Sequence, residues 1–388
     1  MKIALLGYGV VGKGVYELCQ ALPQLEILHI LRRSGSPKEL PIVTDRFETI
    51  LEDDRVDCVV EVMGGLHPAR EYLLAALKAG KQVVTSNKAV LAACYDELTQ
   101  AADRAGAALG CEACVAGGVP FLAALQKAAR AEPLTGFSGI LNGTTNYILS
   151  RMTTEGADFG EVLAAAQALG YAEADPTADI DGLDVQNKAV VACGVAFSFA
   201  PAFDDVPVFG IRRITGADVA DAAAMGRVFK LMALARREGD SLCCTVEPVL
   251  VGNQSLEAAV PLNYNLACIE APSVGALKFY GQGAGSLPTA NAVVQDLLDI
   301  EAGGRGRPRS GKALRSDLSL LKGRWWLRAR EEAAQAACEA LGSDIQETCR
   351  APGRVTLETG ELPASRFYPL RDRLLRLDDS LFAARFLD

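Results

Sequence analysis

Residues Lys2-Ile-Ala-Leu-Leu-Gly-Tyr-Gly-Val-Val-Gly12 decide the fold. The apolar run 3–6 stops at a glycine, as a strand buried on both faces does, and from Lys13 the apolar residues Val15, Leu18 and Leu22 recur at helical spacing. A second apolar run, 25–30, closes a β-turn-α-β unit. Gly7-x-Gly9-x-x-Gly12 alone is a weak signal, but between a strand and a helix it predicts a dinucleotide cradle. Gly7 permits the tight turn, Gly9 lets the backbone approach a pyrophosphate, and Gly12 permits close helix packing, with phosphates on the helix N-terminus. The plain alternative is glycines that serve only the turn. Further units follow: a strand over 56–62 ending at Gly64-Gly65, a helix over 69–79, a strand over 82–85 and a helix over 94–105 stopped by Gly106. Residues 1–131 therefore read as a Rossmann-type, doubly wound α/β domain.

With 388 residues, and roughly 150 per domain, two or three domains are expected. A 50% hydrophobic and 22% charged composition excludes a disordered chain or a small disulfide scaffold. The net charge of −9 argues against nucleic-acid or anionic-membrane partners and favours a small-molecule substrate. Eleven cysteines, with Cys243 and Cys244 adjacent, make a secreted disulfide framework improbable and point to the reducing cytoplasm. The longest uncharged, mainly apolar run, 189–203, falls short of the ~20 residues of a membrane span. His29 and His67 are the only histidines, so proton chemistry falls to Lys, Asp or Glu.

From Pro133 a second, α+β domain is expected over 132–283. Gly139-Ile-Leu-Asn-Gly-Thr-Thr-Asn-Tyr147 reads as a strand and tight turn entering a helix. Helices over 159–169 and 184–196 flank an acidic loop, and 242–251 and 274–280 read as strands. A second glycine loop, 281–285, leads into a helix that returns to the first domain over 284–303. The basic, glycine-rich stretch 303–311 reads as a solvated linker. Beyond it, within 304–388, strand and helix signals alternate as βαββαβ, the ferredoxin-like order.

At the end of the second strand, where an acid would bind the adenosine ribose, stand Leu31-Arg32-Arg33. Guanidinium groups suit a 2′-phosphate, favouring NADP over NAD; the alternative is a surface arginine pair. Lys88, in Thr85-Ser-Asn-Lys-Ala89, follows a strand at the sheet edge where ligands bind, although a lysine at a helix start is often merely solvated. The densest cluster runs from Glu173 through Asp175, Asp179, Asp181 and Asp184 to Lys188. A calcium loop is rejected, because aligning it puts Lys188 where a bidentate Glu is required. Asp184 and Lys188, four apart, face each other on one helix, as a plain salt bridge or as a carboxylate orienting a partly buried ammonium that exchanges a proton. Cys111-x-x-Cys114 has no second pair and reads as buried thiols.

Together these residues resemble the homoserine dehydrogenase family over residues 1–303. The carrying motifs are Gly7-Tyr-Gly-Val-Val-Gly12, Glu61-Val-Met-Gly-Gly65, Ser86-Asn-Lys88, Glu112-Ala-Cys-Val-Ala-Gly-Gly-Val-Pro120, Asn142-Gly-Thr-Thr-Asn146, the segment through Lys188, and Gly281-Gln-Gly-Ala-Gly-Ser-Leu-Pro-Thr-Ala290. The resemblance implies NAD(P)-dependent interconversion of homoserine and aspartate 4-semialdehyde, in the branch towards threonine, methionine and isoleucine. It implies Lys188 as proton donor and acceptor, Asp184 as its support, and Lys88 at both cofactor and substrate. It also implies that Glu173 binds the substrate, with Asn142, Gly143, Thr144 and Asp179 beside it. Gly7, Tyr8, Gly9, Val10, Val11, Gly12, Arg32, Arg33, Gly64, Gly65 and Gly283 fall to the cofactor. Glu112, Val115, Gly117 and Val119 match a segment that holds a monovalent cation such as Na+ in some members, and a homodimer is implied. The tail resembles a shortened ACT domain. The family's acid-x-Pro-Gly-Val-Leu loop is missing, since Arg328-Ala-Arg330 passes straight into Glu331, so threonine feedback is expected to be weak or absent. The rival readings are aspartate dehydrogenase, which does not fit the 173–188 segment, and a catalytically silent dinucleotide sensor.

Overall fold

The computed structural model describes residues 1–36, 40–304, 306 and 309–387; Arg305, Arg307 and Pro308 of the expected basic linker lie outside the described residues. Met1–Leu134, Val190–Ala200 and Phe279–Ala313 form one compact unit, and Thr135–Ala189, Pro201–Lys278 and Leu314–Asp388 form a second.

The first unit is built on six parallel strands, β1 (Lys2–Leu6), β2 (Glu26–Leu31), β3 (Val43–Thr44), β4 (Cys58–Glu61), β5 (Gln82–Thr85) and β6 (Leu109–Gly110), in the order β3-β2-β1-β4-β5-β6. The order switches direction between β1 and β4, where open α/β sheets bind their ligands. β1 is fully buried from Ile3 to Leu6, as an apolar run without alternation requires. Helix Val10–Gln20 packs on the returning helix Ser286–Glu301, within one core that includes Val15, Ala290, Val293 and Leu297. β3 and the single-turn helix Phe47–Leu51 are too short to leave a periodic signal in the sequence.

The second unit carries β7 (Gly136–Ile140), β8 (Arg227–Glu238), β9 (Ser241–Gly252), β10 (Tyr264–Ala271), the first half of β11 (Gly275–Gln282), β12 (Arg315–Ser316), β13 (Lys322–Gly323), β14 (Trp325–Ala329), β15 (Ile345–Ala351), β16 (Arg354–Thr359), β17 (Leu362–Pro363) and β18 (Phe382–Leu387). One sheet runs β11-β10-β7-β8-β9-β18-β14-β16-β15, with β12 added beside β9; β13 and β17 pair separately. β8 is rich in helix formers, Leu231 to Ala235, yet those residues are buried in a strand paired on both sides, and pairing overrides propensity.

The C-terminal segment follows the expected βαββαβ order, with helices Glu331–Leu341 and Ala364–Leu377, and its strands lie side by side as last, first, third, second. It does not stand apart as the expected third domain. β18 pairs in parallel with β9, Arg385 opposite Val249, which makes the segment a continuation of the central sheet. Buried Glu247 of β9 reinforces the join. Its Oε1 accepts from Arg385 Nε at 2.9 Å and from the Tyr368 hydroxyl at 2.8 Å, and its Oε2 from Trp325 Nε1 at 3.1 Å. A second join sets Asp218, fully buried, against Arg328 at 3.0 Å.

Candidate functional site

In the first unit, β1 runs into Gly7, whose φ of +104° L side chains rarely adopt. A Cβ on Gly12 would lie 2.3 Å from the Gly7 carbonyl oxygen, so the third glycine is demanded by the turn itself. Gly9 caps helix Val10–Gln20 with backbone alone, and a Cβ there would meet nothing within 4 Å, leaving the helix N-terminus open to a phosphate. Beside it lies a cavity of about 590 Å³ lined by Gly7, Tyr8, Gly9, Arg32, Arg33 and Gly64, with Ser34, Ser36, Asp45, His67 and Tyr72. Its size and its glycine floor fit a dinucleotide. Arg32 lies over the Tyr8 ring at 5.7 Å. Val10, Val11, Gly12, Gly65, Lys88 and Gly283 are not in this lining. Asp45, delivered from the end of β3, is an acid that inspection of the end of β2 alone misses.

The Gly64-Gly65 turn is held by a buried clamp. Glu61 Oε1 accepts from the Met63 and Gly64 amides at 2.7 and 3.3 Å, and its Oε2 from the Thr85 hydroxyl at 2.6 Å. Asn87 Nδ2 donates to the Gly65 carbonyl at 2.7 Å, while Asn87 Oδ1 caps helix Lys88–Ala93 through the Val90 amide. Lys88, half-buried, thus starts a helix whose N-terminus is tied to the glycine turn.

Glu112 is buried, and its two carboxylate oxygens accept from the Leu122 and Ala123 amides at 3.0 and 2.8 Å, capping helix Phe121–Ala128 where Pro120 cannot. Gly117 packs against Gly283; a Cβ on Gly117 would lie 2.5 Å from the Gly283 carbonyl oxygen. The Val119 carbonyl already accepts from Phe121 at 2.7 Å. Oxygen donors of this kind suit a hard monovalent cation, although Glu112 and Val119 are partly committed. Cys111 and Cys114 are buried, and burial pushes the Cys114 thiol far up, which fits an inert CxxC.

In the second unit, Asn142 joins the sequence candidates. It caps helix Gly143–Glu155, accepting from the Thr145 amide at 2.8 Å. Its Nδ2 donates to Asp179 Oδ1 at 2.7 Å and to Asp184 Oδ2 at 2.8 Å. Asp184 Oδ2 lies 2.7 Å from Lys188 Nζ, which also donates to the Leu141 carbonyl at 2.6 Å. Both side chains are about nine-tenths buried, so this is no solvated helix-surface pair. Burial first, then the Asp184 charge, raises the Asp179 carboxyl above its ordinary value against the opposing Asn142 hydrogen bond. Thr144 donates to the Tyr171 carbonyl at 2.6 Å, and Gly143 abuts the backbone of Asn263. Glu173 is exposed and stands outside this network; its carbonyl accepts from Gln167.

Sequence spacing gave no sign of Lys230. It is buried in β8, donating to Asn146 Oδ1 at 2.9 Å and to the Val260 carbonyl at 2.7 Å, and burial pushes its ammonium down to about 8. The folded state releases this proton near pH 8 and the unfolded chain near 10.5, so between those values the unfolded state binds more protons and stability climbs with pH. Lys230→Met abolishes that climb. In denaturant titrations, the wild-type advantage over the variant should grow by about 3 kcal/mol across the window; a constant difference would refute the shift.

A glycine cradle for a dinucleotide, and an ammonium desolvated against a carboxylate, are what hydride exchange at a carbonyl asks of a protein; fold and site define an NAD(P)-dependent oxidoreductase. The family models described as "Homoserine dehydrogenase, NAD binding domain" and "Homoserine dehydrogenase" match residues 7–112 and 120–298. The homoserine dehydrogenase of Synechocystis is 42% identical over 316 residues, covering 77% of this chain and 73% of that protein. That of Mycobacterium tuberculosis is 41% identical over 333 residues, covering 80% and 75%. A crystal structure of the Thiobacillus denitrificans homoserine dehydrogenase superposes with a TM-score of 0.89 at 30% identity, over 100% of this chain and 98% of that one. The chain belongs to the homoserine dehydrogenase family. No helix among the described residues is long and apolar enough to cross a membrane.

Proposed function

We propose that the chain reduces L-aspartate 4-semialdehyde to L-homoserine with NADPH in preference to NADH, reversibly, in the cytoplasmic route to threonine, methionine and isoleucine. The observation that carries the mechanism is the Lys188 ammonium, held 2.7 Å from Asp184 and 2.6 Å from the Leu141 carbonyl. The nicotinamide supplies the hydride. Lys188 stabilises the negative charge that develops on the aldehyde oxygen and gives it a proton. Asp184 and the Leu141 carbonyl fix the direction of Nζ, and Asn142 fixes Asp184, so little reorganisation accompanies the reaction. Glu173, which is exposed, binds the substrate amino group, and Thr144, Gly143 and Asp179 shape the remainder of the substrate site. Lys88 serves cofactor and substrate.

Arg32 and Arg33 in the nucleotide cavity support the NADP preference, because paired guanidinium groups match a phosphate better than a ribose hydroxyl. The loop of Glu112, Val115, Gly117 and Val119 would hold a monovalent cation through oxygens, next to Gly283. We read the C-terminal segment as a shortened ACT-like domain and the assembly as a homodimer. Only Arg330 separates β14 from helix Glu331–Leu341, which leaves no length for an effector loop.

Initial rates test the reading. Aspartate 4-semialdehyde should support rapid NADPH oxidation and slower NADH oxidation, oxaloacetate with ammonia should support neither, and threonine should leave the rate nearly unchanged. Turnover of oxaloacetate alone would select the aspartate dehydrogenase reading, and no turnover of either substrate the silent sensor. Strong threonine inhibition would overturn the effector-free tail.

A further inference from the structure

We propose that a cavity of the second unit, formed around Arg212, Arg213 and Arg371, binds a small organic carboxylate, and that its occupancy loosens the turn that carries Asp179. The cavity measures about 230 Å³. Three guanidinium groups line it against one carboxylate, Asp181, and Phe209 and Leu375 supply apolar wall.

The arginines are held by different means. Arg371 is nearly buried, its guanidinium laid on the Phe209 ring and its fork turned to its neighbour Asp372; burial works against its charge. Arg213 donates Nε to the Asp379 carbonyl at 2.7 Å, and no carboxylate pairs with it among the described residues. Arg212 grips Asp181 with both prongs, Nε and Nη2, each at 2.7 Å. A planar carboxylate with a short aliphatic body satisfies the free valence of Arg213, offsets the cost of burying Arg371, and covers the apolar wall. Inorganic phosphate meets the first two needs and not the third.

Asp181 ends the short helix Thr177–Ile180, and the Ile180 carbonyl accepts from the Ile211 amide at 2.7 Å, beside Arg212 in the chain. The same turn presents Asp179 to Asn142. A ligand carboxylate competes with Asp181 for the Arg212 fork, and so alters how firmly that turn is held. This second step rests on Asp179 and Asn142 serving the substrate as proposed above.

Calorimetry on the full chain at constant ionic strength, with succinate, phosphate and chloride as probes, tests the cavity. Saturable succinate binding in the millimolar range or tighter is expected, weakened at least about tenfold by Arg213→Ala. Arg213 is exposed and takes no part in the network around Lys188, so this variant should keep its basal activity. Saturating succinate should also shift the KM for aspartate 4-semialdehyde at least about twofold in the wild type and not in the variant. Succinate heats no larger than those of chloride, phosphate binding as tight as succinate, or binding undiminished in Arg213→Ala would each overturn the site. Arg213-dependent binding with an unmoved KM would overturn the coupling. If the chain does not turn over the aldehyde at all, the functional reading fails, and the calorimetry still decides the cavity.

Discussion

Lys188→Ala should lower kcat by about 10²-fold or more while changing the KM for aspartate 4-semialdehyde far less. The ammonium meets charge that exists only as hydride arrives, so its loss weakens the transition state and barely touches the ground state. The geometry strengthens this expectation. Nζ is held by Asp184 and by the Leu141 carbonyl, which point it without an exposed salt bridge's freedom to wander. Removing it also leaves Asp184 nearly buried with the Asn142 amide as its remaining partner from this network, so some stability is lost as well. Measuring kcat and KM separately, on protein shown by its melting curve to be folded, distinguishes the two effects. A folded variant with wild-type kcat would remove Lys188 from the reaction. If kcat is lost, Asp184→Asn should fall between the two, because its amide keeps the packing and surrenders the charge.

Glu247→Ala should cost about 3–5 kcal/mol of stability without a comparable loss of dinucleotide affinity. Glu247 and Arg385 are both almost fully buried, 2.9 Å apart, and Tyr368 and Trp325 donate to the same carboxylate. Truncation leaves a guanidinium in the interior without its counter-charge, which is what makes breaking such pairs expensive. The chain's two tryptophans, Trp325 and Trp326, lie side by side in β14, so their fluorescence during urea titration reports on this region directly. A midpoint unchanged within error would show that the join is held by strand pairing alone. Replacing Glu247 and Arg385 together by apolar residues of similar size should recover much of the loss, because the orphaned charge is then absent.

How much of this could be read beforehand follows from what kind of force shapes each part. The Gly7–Gly12 turn and the helices over 331–341 and 364–377 were legible because local geometry governs them: positive φ, steric closeness and a 3.6-residue period. The Asp184–Lys188 pair was legible as a facing pair with a partly buried ammonium, but the groups that fix it were not, since Leu141 and Asn142 lie about forty residues earlier. β8 leaves no strand signal in the sequence because its composition favours a helix and only its neighbours make it a strand. Asp45, the Glu61 clamp and Lys230 are products of tertiary assembly, and no spacing rule reaches them. The same holds for the tail. Its element order was plain from the sequence, whereas its union with the central sheet depends on one parallel pairing, β9 with β18.

That pairing has a cost in time. The partner of β9 arrives more than a hundred residues later, after three helices and several strands have been placed. Until then, the edge of β9 carrying Val249, Leu250 and Val251 has no β18 to satisfy its backbone groups. Such late, non-local closure slows folding and leaves an adhesive edge open to other chains. A version of this protein cut at residue 313 would carry that edge permanently, and insoluble product on expression is its expected fate.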